Sequence, residues 1–252
     1  MKTKISVALT TMALTFSTAS FADTLEDKLN KAMSSDIRTE KEIARDDNRM
    51  PVETLRFLGI KDDMKVLEML PGGGWYTKLL APLLTENGKL YVSLGTRRVK
   101  QNLVGQPGFS NMTVLEPDTT LQYNREKRFY DISDFEWQNV EPLDAVLTFR
   151  NYHNFTEEGR KTINEAAFKV LKPGGIYGVV DHTRRHMQGL NDENRRRFDP
   201  VLAIKEIQEA GFIFVDFSDH LYRADDELRY EVGRKSVTGN TDRFTLLFKK
   251  PE

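Results

Sequence analysis

Two short runs concentrate the side chains that can do chemistry: Arg150-Asn151-Tyr152-His153-Asn154 and Asp181-His182-Thr183-Arg184. An imidazole changes charge near neutral pH, so His153 is a candidate general base. Asn151 and Tyr152 beside it, with Asp181 and His182 from the second run, complete a candidate catalytic group. The plainer reading is that these polar residues cap the next helix and meet water. Each run directly follows an apolar stretch, and functional residues gather on such loops. His182 and His186 are spaced as if on one face of a helix, which would suit a metal pair. Arg184 and Arg185 lie between them and no third ligand is evident, so no metal is assigned.

A third feature is Pro71-Gly72-Gly73-Gly74-Trp75-Tyr76. Three successive glycines allow positive φ and let a bulky ligand approach the backbone. The helix that follows offers free N–H donors. A tight strand-to-helix turn would use the same residues. A dinucleotide-binding turn needs a third glycine where Thr77 stands, and a phosphate loop needs Gly-Lys-Ser/Thr, which is absent.

These runs require elements to position them. Short apolar stretches predict strands at 65–70, 89–94, 112–116, 144–149 and 176–180, with two more at 212–217 and 243–249. Helices are expected at 75–84, after the Thr156 cap to about Lys172, and at 201–210 behind the Asp199-Pro200 start. Pro82 predicts a kink or a late start in the first of these. Residues 118–141 show no clear period and are read as irregular, with at least one short strand. Upstream, Leu25, Leu29 and Met33 recur at helical spacing, a polar helix is expected over 39–47, and another over 52–58. Strand alternating with helix gives an α/β fold: Rossmann-like, doubly wound, with a mainly parallel seven-stranded sheet and a C-terminal antiparallel hairpin. Ligands in such sheets bind beyond the carboxyl ends of the strands, where the three runs fall.

A chain of 252 residues suffices for one well-buried domain of this kind. Lys plus Arg number 37 against 38 Asp plus Glu, so no single-signed field draws it to nucleic acid, and a small-molecule partner is expected. No cysteine is present, which excludes disulfides and cysteine lipidation. Lys2 and Lys4 open an uncharged stretch that ends at Ser20-Phe21-Ala22. That pattern predicts a signal peptide over 1–22, cut before Asp23, and a periplasmic product with no stable membrane anchor. The remainder divides into an N-terminal helical extension, 23–60, and a main domain, 61–252.

Glu68 before the glycine turn, Asp144-Ala145-Val146-Leu147, Leu171-Lys172-Pro173-Gly174-Gly175 and Ala210-Gly211-Phe212 resemble, in order and spacing, the motif series of class I S-adenosylmethionine-dependent methyltransferases. More narrowly, Pro71 to Thr77, Arg150 to Asn154 and Thr241-Asp242-Arg243-Phe244 resemble an exported group of predicted methyltransferases. The resemblance implies an S-adenosylmethionine pocket built from Glu68, Pro71, Gly72, Gly73, Gly74, Trp75, Tyr76 and Leu94, with adenine near the third strand. His153 would act as base or acceptor-orienting group, with Asn151, Tyr152, Asp181 and His182 around it. Most of that superfamily carries an acid for the ribose where Leu94 stands. The expected function is methyl transfer to a small molecule. The alternatives are an exported, non-catalytic binding protein of the same fold and a metal-dependent hydrolase built on His182 and His186.

Overall fold

The computed structural model describes residues 24–252; the expected leader lies outside the described residues. Nine strands form: β1 Lys65–Met69, β2 Lys89–Ser93, β3 Met112–Leu115, β4 Leu121–Asn124, β5 Phe129–Ile132, β6 Leu143–Phe149, β7 Leu171–His182, β8 Ile213–Ser218 and β9 Arg243–Lys249. Seven of them make one sheet in the order β3-β2-β1-β6-β7-β9-β8. The strands from β3 to β7 run parallel, while β9 is antiparallel to both β7 and β8. The expected doubly wound sheet and terminal hairpin are both present.

Helices cover both faces of this sheet. On one side lie α1 Leu25–Met33, α4 Pro51–Phe57, α5 Thr77–Leu83 and α6 Arg97–Asn102, packed on Val66, Leu90, Val92, Ala145 and Leu147. On the other lie α7 Glu157–Val170 and α8 Pro200–Glu209, packed on Leu67, Met69, Val146, Tyr177 and Val179. Successive strand residues thus feed opposite layers, as a pleated strand buried on both faces requires.

Several local details differ from expectation. The polar helix expected over 39–47 is two short helices, α2 Glu40–Ile43 and α3 Asp46–Arg49. The buried Arg38 guanidinium bonds Met33 O, Asp46 and Glu42 O, so the chain turns around it rather than running straight. The expected irregular stretch contains a complete hairpin, β4 with β5, outside the main sheet. Helix α5 starts late, at Thr77, leaving Trp75 and Tyr76 in the turn and Pro82 near the helix end. Strand β7 reaches back to Leu171 because Gly174 and Gly175 exchange backbone bonds with Lys250 and the Lys250 ammonium holds Leu171 O. The basic helix α6 was not expected, since only Val99 of its six residues is buried and gives no apolar period.

Register aligns the carboxyl ends that matter. Met69 lies level with Ser93 on one side and Thr148 on the other. Leu70, Leu94 and Arg150 follow β1, β2 and β6, and each takes a left-handed φ, of 56, 61 and 61°. Such backbone is unfavourable for a side chain bearing Cβ and persists only where its surroundings enforce it. Here it turns three adjacent loops out at one edge.

Candidate active site

At the end of β1, Glu68 is 3% exposed and accepts a 2.5 Å hydrogen bond from Thr77 Oγ1. Burial pushes its carboxyl up to about 7, against opposing effects of Thr77 and the nearby Arg49 guanidinium. Gly74, at φ +84°, admits close packing: a Cβ there would lie 2.7 Å from Leu103 Cδ1. Gly72 and Gly73 are exposed, and a Cβ on either would meet nothing within 4 Å. The triple glycine therefore combines a packing residue with two that border open space.

Pro71, Trp75 and Tyr76 point inward. Trp75 Nε1 donates to Glu42 O at 3.0 Å, the Arg49 guanidinium lies 4.2 Å from the Trp75 ring centroid, and Tyr76 stacks on Phe149 at 3.6 Å. Lys78 Nζ reaches Ile37 O and Glu42, each at 2.8 Å. The turn thus anchors the N-terminal helices, which bring Arg45 and Arg49 over the strand ends. Leu94 is 6% exposed and sits in the apolar layer with Trp137. Ser93 Oγ accepts from Trp137 Nε1 and donates to Leu115 O, and Leu94 rather than a carboxylate residue follows β2.

After β6, Asn151 Nδ2 donates to Leu70 O and Phe149 O at 3.1 and 3.0 Å, which ties this loop to the one after β1. Residues Tyr152–Asn154 then form a single 3-10 turn. His153 faces Asp181: Nδ1 donates to Oδ1 at 2.6 Å, and its backbone N–H to Oδ2 at 2.8 Å. Asp181, fully buried, also accepts from the His182 N–H. With Nδ1 committed as donor, Nε2 is the basic nitrogen of a neutral His153. His182 lies 5.9 Å away between ring centroids, and its Nδ1 pairs with Thr241 Oγ1 at 2.9 Å. Burial first, then Arg243, His153 and Arg150, hold it well below the usual imidazole range, so it is neutral at pH 7.

Two sequence expectations are corrected here. Tyr152 does not join His153, because consecutive residues of the turn point to opposite sides. Its hydroxyl is buried between α7 and α8, donating to Glu206 and accepting from Asn164 Nδ2, both at 2.9 Å. His182 and His186 share no helix face: His182 ends β7, while His186 lies in the following loop, paired with Asp199. Among the described residues, no three His, Asp or Glu converge as a metal set.

Two cavities meet at His153. A polar one of 220 Å³ is lined by Arg45, Arg150, His153, His182, Arg196 and Thr241, among others. A larger one of 470 Å³, bordered by Phe129, Phe155, Arg184 and Phe198, opens on its other side. Arg45, Arg49, Arg196 and Thr241 escaped the sequence reading of site residues. The signal available was the Thr241-Asp242-Arg243-Phe244 run, which sits in β9 and the turn before it.

No family model matches the chain, and no curated protein sequence is similar to it. Solved structures are similar in fold. A SAM-dependent methyltransferase from Aquifex aeolicus superposes with a TM-score of 0.53 at 16% identity, over 82% of this chain and 92% of that one. The protein solved in complex with a methyltransferase activator of Haloferax volcanii gives 0.55 at 13%, over 92% and 100%. The [4+2]-cyclase SpnF gives 0.51 at 14%, over 81% and 80%. At such identities the likeness establishes a methyltransferase-type fold, and a cyclase among these structures shows that the fold alone does not set the reaction.

Proposed function

We propose that this chain is an S-adenosylmethionine-dependent methyltransferase that acts on a small-molecule acceptor in the periplasm. The observation that carries this reading is the buried Glu68 carboxylate with the Arg49 guanidinium near it, at a glycine turn on this fold. Among the described residues, no ammonium or guanidinium bonds Glu68 directly, and its one side-chain partner there is Thr77. A cationic ligand group would therefore relieve its cost of ionisation. Arg49 in turn has no hydrogen-bond partner for its buried Nε and is held down to about 9 by burial and by neighbouring arginines. A carboxylate beside a guanidinium suits the amino and carboxyl groups of an amino-acid-like ligand end, so these residues fit the cofactor. Glu68, Arg49, Gly72 and Gly73 would hold that end, with Leu94 and Gly95 toward the nucleoside.

Bound there, the cofactor supplies an electrophilic methyl group. The protein's part is to orient the acceptor and remove its proton, and positioning supplies most of such a rate. His153 Nε2 is the base, since Asp181 fixes the ring through Nδ1 and stabilises the imidazolium once formed. Asn151 keeps the base loop locked to the cofactor loop through Leu70 O. Neutral His182 lines the same cavity as a polar wall.

The location rests on the leader: two lysines, an uncharged stretch and Ser20-Phe21-Ala22. No helix among the described residues is long and apolar enough to cross a membrane. N-terminal sequencing of the exported product should begin at Asp23; a start at Met1 overturns the location. Calorimetry of the mature chain with S-adenosylmethionine tests the cofactor, and absence of binding at millimolar ligand overturns it. Leu94, buried where an acid would hold the ribose, favours a second reading: an exported binding protein without catalysis. A different ligand co-purifying, with no methyl transfer to any acceptor pool, would decide for that one.

A further inference from the structure

Four arginines near the site are matched by carboxylates. Arg38 pairs with Asp46, Arg196 with Glu231, Arg197 with Asp226 and Arg160 with Glu206. Arg45, Arg49 and Arg150 are different, having no side-chain hydrogen bond or ion pair among the described residues. The buried Nε atoms of Arg45 and Arg49 are without any partner. Arg243, 3% exposed, bonds one backbone carbonyl, Asn48 O, while its Nε and Nη2 are buried and unmatched. Proximity is shown by their mutual effect: Arg150, Arg45 and Arg243 each lower the Arg49 pKa, and Arg150 and Arg45 lower that of Arg243. Of the buried carboxylates nearby, Asp181 is taken up by His153 and His182, and Glu68, near Arg49, accepts from Thr77.

Desolvated guanidiniums of like charge oppose folding unless something offsets them. Arg49 is accounted for by the carboxyl group of the proposed cofactor; Arg45, Arg150 and Arg243 are surplus to it. Arg45 and Arg150 line the 220 Å³ cavity together with His153, and Arg243 lies behind them beside His182.

We propose that this cavity is an oxyanion site: the acceptor carries a compact group of two or more negative charges, such as a phosphate monoester or paired carboxylates, held by Arg45 and Arg150. The assignment rests on the methyltransferase reading for the word acceptor, but the oxyanion site itself does not. Guanidinium forks match phosphate and carboxylate oxygens two at a time. The anion would sit against His153, which places an adjacent nucleophilic atom of the same molecule within reach of Nε2.

The test uses the mature chain without S-adenosylmethionine. Its thermal unfolding is followed against inorganic phosphate and, separately, citrate, with sodium chloride holding ionic strength constant. A saturable rise in melting temperature with either anion is expected, and the stronger of the two identifies phosphate or carboxylate chemistry. Arg150→Gln and Arg45→Gln should each weaken that binding roughly tenfold, as loss of one charge-assisted contact implies. In the absence of anion both variants should melt no lower than the parent, because a repelling charge is gone. No saturable effect of either anion, or an undiminished effect in both variants, overturns the proposal. Calorimetric binding of S-adenosylmethionine alongside such a null result would leave the methyltransferase reading intact. Anion binding without cofactor binding would sink that reading and support this one.

Discussion

Replacing Glu68 by Gln probes the proposed cofactor end of the site without disturbing its shape. The amide oxygen can still accept the Thr77 hydroxyl, and the substitution removes only the titrating group. In the unfolded chain a glutamate ionises near 4.5, whereas burial raises Glu68 to about 7 in the folded protein. Between those pH values the unfolded state has released a proton that the folded state retains, so stability falls as pH rises. Each pH unit in that window removes about 1.4 kcal/mol, up to about 3 kcal/mol in all. Below pH 4.5 both states are protonated and above pH 7 both are ionised, so the effect is confined to the interval. The glutamine variant has no such titration. Urea unfolding of parent and variant at several pH values, from roughly 4 to 8.5, should give a difference that grows through the window in favour of the variant and then levels. A difference that stays constant with pH would refute the reasoning that burial dominates at Glu68. S-adenosylmethionine should bind the variant more weakly at pH 8, where the parent carboxylate is charged.

Imidazole nitrogen NMR should find neutral His153 protonated on Nδ1, facing Asp181, and a dominant Nε2–H form would remove it as the base. Gly74→Ala should cost about 1–3 kcal/mol, from the left-handed φ and the 2.7 Å approach to Leu103, while Gly73→Ala stays within about 0.5 kcal/mol; denaturant titration separates them. Lys78→Met should cost about 2 kcal/mol by stranding Glu42 and Ile37 O, and should loosen the N-terminal helices in hydrogen exchange. Asp226→Ala leaves the fully buried Arg197 unpaired and should cost about 3–5 kcal/mol by the same measurement; a loss under 1 kcal/mol would contradict the burial of that pair.

The seven strands of the main sheet declared themselves through short apolar stretches, and Thr156 and Asp199 cap the helices expected of them. The glycine turn and the His153 loop lie at strand ends, which the apolar composition of a strand buried on both faces makes legible. The roles of the loop residues were less legible. Tyr152 and His153 are adjacent in sequence and face opposite layers, a fact set by one 3-10 turn that no periodicity announces. The resemblance puts Trp75 among the cofactor-pocket residues, and its indole anchors the helix pair that carries Arg45 and Arg49.

By itself, then, the sequence determined the order of the seven main strands and the helices α5, α7 and α8, the glycine turn after β1, and the presence of a histidine and an aspartate near one edge. Those are properties of neighbouring residues and of their local conformational preferences. Only the tertiary structure decided that Asp181 bonds His153, that Leu94 is buried beyond β2, and that four arginines from α3 and the chain before it, the loop after β6, and β9 gather without an ion pair among the described residues. Charges repel through space rather than along the chain, so a cluster drawn from both ends of the sequence becomes visible only once the sheet brings those ends together.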